Sequence, residues 1–134
     1  MNRTLLVRTL EALSAPLGCT FRTAPDGAPI PPTETAPMLR LSPLELLRVE
    51  GIKKGRESYS LKLHLIYLPE SKEPDRLTEQ QGEMEALLLE LMARLSETPQ
   101  VISIEEISIT PQPSPRSPRG EVALRLEAEV ITWF

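Results

Sequence analysis

The chain has 134 residues, 40% of them hydrophobic and 25% charged, with 15 basic against 19 acidic side chains and a formal net charge of −4. That is the size of one ordinary domain, able to bury roughly two thirds of its unfolded surface. The acidity argues against a dedicated nucleic-acid binder, which carries a basic stripe, but not against a protein that DNA merely passes. One cysteine, Cys19, excludes an intramolecular disulfide, and one histidine, His64, leaves almost no ligands for zinc.

The N-terminal stretch MNRTLLVRTLEALSAPLG interrupts its apolar residues with Arg3 and Arg8 and lacks a small-residue cleavage site, so it does not read as a signal peptide. No segment approaches the ~18 uncharged apolar residues of a membrane span. The expected setting is a reducing, soluble compartment. Residues 3–15 are expected to form a short amphipathic helix with a stripe of Leu6, Leu10 and Leu13, ended by Pro16 and Gly18. From 18 to 37, Pro25, Pro29, Pro31, Pro32 and Pro37 crowd together with Gly27 and read as a long, stiff, irregular arm.

Met38 to Leu41 reads as a short strand broken by Pro43. Residues 44–53 fit a strand or a helical turn. Strand is preferred, because Gly51-Ile-Lys-Lys-Gly55 then becomes a hairpin tip. Tyr59 to Leu68 alternates Tyr59, Leu61, Leu63, Leu65 and Tyr67 with Ser60, Lys62, His64 and Ile66, the pattern of a half-buried strand. Thr78 to Glu97 is the dominant helix: Gln81 stands three residues after Thr78 as in a capping box, and Met84, Leu87, Leu88, Leu91, Met92 and Leu95 line one face.

Val101 to Thr110 is a further strand. Its apolar residues change face around Glu105 and Glu106, which predicts a bulge or burial on both sides. Pro111, Pro113, Pro115 and Pro118 make a second stiff loop over 111–120, and Glu121 to Phe134 is the closing strand, finishing on Trp133 and Phe134. The whole, 1–134, is expected to be one α+β domain: an antiparallel or mixed sheet with one long helix packed on it, a short N-terminal helix and long Pro-rich loops.

Individual residues point weakly to chemistry. Gly51-Ile-Lys-Lys-Gly55-Arg-Glu-Ser superficially resembles a phosphate-binding loop. Its glycine spacing is too short, however, and a strand follows where a helix should start, so a solvated tip is preferred. His64 has no neighbouring cysteine or second histidine and is expected on the polar face of its strand. Cys19 has no activating pattern and is expected to be a semi-buried structural thiol. Glu105, Glu106, Glu127 and Glu129 are read as a solvated sheet face; a carboxylate cluster, or a negative wall that keeps DNA from sticking, are the alternatives. The segment PQPSPRSPR repeats Ser-Pro-Arg and offers Arg116 and Arg119 to a partner, though a joining loop is the simpler reading. No catalytic, metal or cofactor residue is assigned, and no cofactor is expected.

Taken together, a short helix, a long arm, an extended hairpin with YSLKLHLIYL, the helix EMEALLLELMARL, the strand VISIEEISI and the closing VALRLEAEVITWF form a layout. It is similar to the small tail-terminator (tail-completion, minor tail protein U-like) proteins of tailed phages and related contractile systems. The resemblance covers nearly the whole chain as an order of elements and carries no sequence motif, so no family residue is transferred. It implies a non-enzymatic virion protein, made in the bacterial host cytoplasm, that closes into a hexameric ring on the tail tube, ends tube polymerisation and joins the head–tail connector. Its partners would be its own copies, the tail tube protein and the connector, with DNA only as passing cargo and no membrane. Pro31, Pro32, Arg116, Arg119, Trp133 and Phe134 are the expected subunit or partner contacts, chosen for loop position and stiffness. The alternatives are a dimeric α+β adaptor or assembly chaperone and, less favoured, a small enzyme, since one histidine, one cysteine and two aspartates make a sparse catalytic inventory.

Overall fold

The structure, a computed structural model, describes residues 1–25, 28, 36–112 and 120–134. Its elements are α1 (Arg3–Ser14), β1 (Thr20–Thr23), β2 (Met38–Leu41), β3 (Glu45–Glu50), β4 (Arg56–Tyr67), α2 (Pro74–Ser96), β5 (Val101–Gln112) and β6 (Val122–Trp133), with a turn of 3-10 helix at Ala15–Leu17. The fold is α+β. The six strands form one mixed sheet in the order β1-β2-β4-β6-β5, with β3 also pairing β4. β1 runs parallel to β2, and every other pairing is antiparallel.

β4 is the axis. Along its full length it pairs with β6, from Arg56↔Trp133 to Tyr67↔Val122. Its other side is shared: β2 covers 63–66 and β3 covers 56–60. One face of the sheet carries the main core, where Leu39, Leu61, Leu63, Leu65 and Leu126 meet Leu6 and Leu10 of α1 and Leu88, Leu91 and Leu95 of α2, all fully buried. At about 1.5–3 kcal/mol for each fully buried leucine, this layer is the main favourable term in folding. The opposite, outer face has a smaller apolar cluster of Met38, Ile66 and Ala123, one cross-strand row.

Local chemistry explains the ends of elements. The Asn2 side chain accepts a hydrogen bond from Leu5 N at 2.8 Å and caps α1. Gly18 closes the following turn at φ 78°, a left-handed conformation that glycine adopts without a Cβ penalty. The buried N-terminal amine of Met1 lies 3.2 Å from the Glu57 carboxylate, which also accepts from the Tyr59 hydroxyl at 3.1 Å. Burial, and then the Glu57 charge, push the Tyr59 phenol above its ordinary pKa.

Several expectations are corrected. The arm 18–37 is not irregular from its start: Thr20–Thr23 is a strand, held by Thr20 N donating to Pro37 O and by parallel pairing with β2. The long helix starts at Pro74, not Thr78. Proline fits the first helical turn, where no backbone donor is needed, and the Thr78 hydroxyl donates back to Pro74 O at 3.0 Å instead of capping. β5 runs through Pro111 to Gln112; an edge strand tolerates a proline whose missing N–H faces outward. β4 is buried on both faces over much of its length, so it is not the half-buried strand that the alternation predicts. The bulge expected at Glu105 and Glu106 is present: the register shifts between Glu105 and Ser108, with Glu106 at φ 54°.

Candidate functional site: the hairpin, the outer sheet face and the aromatic end

β3 and β4 form a hairpin whose tip is Gly51 to Gly55. β3 is exposed throughout, with Leu46, Leu47 and Val49 at 46, 53 and 42% exposure and Ile52 of the tip at 77%. Among the described residues β3 pairs on one side only, with β4, and so presents its other edge. Apolar edge strands without a partner are sites where another chain adds on. The tip is tight: a Cβ on Gly55 would fall onto the carbonyl oxygens of Glu50 and Gly51, so only glycine fits there.

The aromatic end lies beside this tip. Trp133 sits opposite Arg56, whose guanidinium is 5.8 Å from the ring centroid, a cation–π distance. The backbone of the end is docked: Trp133 N donates to Gln100 O at 2.9 Å, Phe134 N donates to Gly55 O at 2.8 Å, and Trp133 O accepts from the Met1 amine. The two rings stay out, 47 and 55% exposed. Of the six contact residues expected from sequence, the structure therefore brings Trp133 and Phe134 together at the hairpin tip. Pro31, Pro32, Arg116 and Arg119 lie outside the described residues.

The outer face divides into two halves. Near β1, the cross-strand row Arg40, His64, Arg125 and Thr110 runs across four strands. His64 is 5% exposed, which corrects the expectation of a solvent-facing histidine. It sits on the central strand between two long arginine side chains, and Arg40 Nη1 donates to Ala28 O at 3.0 Å. Arg125 reaches Glu127 at 2.9 Å.

Toward the hairpin, the outer face is acidic and open. Glu105 pairs with Glu129 across β5 and β6, and Ser108 with Glu127. Leu47 and Glu106 wall a shallow depression of about 170 Å³ there, with Ser60, Glu127 and Glu129 on its floor. A second depression, about 230 Å³ and also touching Ser60, lies between Pro25, Leu44 and Lys62. Among the described residues no group of three His, Cys, Asp or Glu side chains is placed to hold a metal ion. Cys19 is buried, its thiol pushed up to about 11 by desolvation, so it stays protonated and unreactive near neutral pH.

Sequence reasoning missed the exposure of β3. Leu46, Leu47 and Val49 have core composition, and the available signal was the adjacent leucine pair, which places a leucine on each face of a strand. Among the described residues no helix is long and apolar enough to cross a membrane. No protein-family model matches the chain, and no curated protein resembles it in sequence.

Proposed function

We propose that this chain is a non-enzymatic structural protein of the virion tail, which closes into a ring, caps the tail tube, ends its polymerisation and joins the head–tail connector. One observation carries the reading: an exposed hairpin that presents Leu46, Leu47, Val49 and Ile52 on its surface and, among the described residues, an unpaired edge, flanked by the exposed rings of Trp133 and Phe134. Apolar surface of this kind is what an assembly interface supplies. The opposite end of the sheet, β5, pairs among the described residues with β6 alone; it is twelve residues long against six for β3, and its exposed stretch holds Glu105, Glu106, Ile107 and Ser108 where β3 shows Leu46, Leu47 and Val49. Two unlike edges on one subunit suit a head-to-tail contact, and such a contact makes a ring when its rotation closes. A formal net charge of −4 suits a channel through which DNA slides without being held.

The test is removal of the gene from the phage or prophage that carries it. The expected particles are filled heads and separate, overlong tail tubes, corrected when the intact gene is supplied in trans. Tails of normal length joined to heads would contradict the reading.

A further inference from the structure

The hairpin tip gathers cations off the end of the sheet: Lys53 and Lys54 are exposed, Arg56 follows, and Ile52 between Gly51 and Lys53 is 77% exposed. The depression on the outer face has the opposite character. Leu47 forms one wall and Glu106 the other, with Glu127 and Glu129 between them. Arg125 offsets part of that charge, through its 2.9 Å contact with Glu127. A basic finger with an apolar side chain and an acidic hollow with an apolar wall are complementary in charge and in hydrophobicity. They cannot meet within one subunit. Five residues of extended β4 separate Gly55 from Ser60, about 17 Å at strand spacing, and the tip projects away from the hollow.

We propose that the occupant of this hollow is a second copy of the chain: the tip of one subunit enters the depression of the next, with Ile52 against Leu47 and Lys53 and Lys54 against Glu127, Glu129 and Glu106. The proposal rests on the ring reading and names its contact. The two surfaces are different, so the contact is head-to-tail, and each subunit keeps one free tip and one free hollow until the ring closes. Charge complementarity sets the register and speeds the encounter, while the apolar pair holds it. The acidic face then lies between subunits and not along the pore.

The experiment uses two variants of the full chain, K53E/K54E in the tip and E127K/E129K in the hollow, each checked for native circular dichroism and measured by sedimentation velocity. Each alone is expected to associate at least about tenfold more weakly than the unaltered chain, because attractive pairs become repulsive. Mixed in equal amounts, they should assemble again by alternation, since the intact tip of one fits the intact hollow of the other and the two reversed surfaces fit each other. The chain carrying all four changes should recover assembly. An unaltered chain that forms rings while K53E/K54E does so equally well overturns the tip-to-hollow contact and leaves the ring reading standing. A mixture that stays monomeric, with both variants folded, also overturns the contact. An unaltered chain that is monomeric at every concentration overturns both.

Discussion

The substitution Gly55→Ala probes the tip most sharply. Its new Cβ would lie on the carbonyl oxygens of Glu50 and Gly51, which are backbone atoms that cannot rotate away. Relief requires the tip to open. Opening gives up the hydrogen bond from Phe134 N to Gly55 O, 2.8 Å long, and weakens the terminal pairing of Glu50 with Arg56. At about 1 kcal/mol for each net hydrogen bond, the loss is about 1–3 kcal/mol. Spread over the unfolding entropy of a chain this size, that lowers Tm by about 4–10 °C. The core layer is remote from the tip, so the variant should keep native circular dichroism and a cooperative thermal transition. Because the tip no longer projects in its original shape, association measured by sedimentation should fall together with Tm. An unchanged Tm and undiminished association would refute this description of the tip.

The opposite sign is expected at Gly82, in the interior of α2, where an added Cβ would touch nothing within 4 Å. Gly82→Ala should stabilise by about 1 kcal/mol from helix propensity alone, read as a Tm about 3–4 °C higher. Leu91→Ala, which opens a cavity between α2 and the sheet at a fully buried position, should cost about 2–5 kcal/mol in urea unfolding while leaving the slope with urea unchanged. Cys19 should resist a maleimide at pH 8 in the folded chain and react rapidly in urea. Its raised pKa makes the folded state prefer the protonated thiol, so that contribution to stability is fully present below the unfolded pKa near 9 and is lost as pH rises toward 11; Cys19→Ser should flatten urea-unfolding stability across that window.

The strands and helices that stand on their own periodicity were readable in advance. Residues 59–65 of β4 and 124–130 of β6 alternate, α2 places Leu88, Leu91 and Leu95 on one face, and the switch of apolar face at Glu105 and Glu106 left a bulge or two-sided burial, of which the bulge is present. The unreadable parts depend on partners distant in the chain. Thr20–Thr23 becomes a strand by parallel pairing with Met38–Leu41, and no local pattern encodes that pairing across a proline-rich stretch. Thr78 and Gln81 imitate a capping box in the interior of a helix that Pro74 had already begun, while Gln81 bonds to Glu85. For His64 the alternation gave the correct face, but not its burial on the central strand between Arg40 and Arg125. At the candidate site the aromatic end was visible from composition. β3 was not, since Leu46, Leu47 and Val49 have the composition of core and differ from it only in lacking a covering layer.

The central claim is that this subunit assembles head-to-tail into a closed ring, and absolute mass by light scattering across a concentration series, with negative-stain images of the heaviest fraction, tests it most directly. The account predicts a single discrete species several times the 15.0 kDa chain mass, seen as rings with a central hole. A compact dimer without a hole, unchanged as concentration rises, would contradict it and point to an adaptor or assembly chaperone.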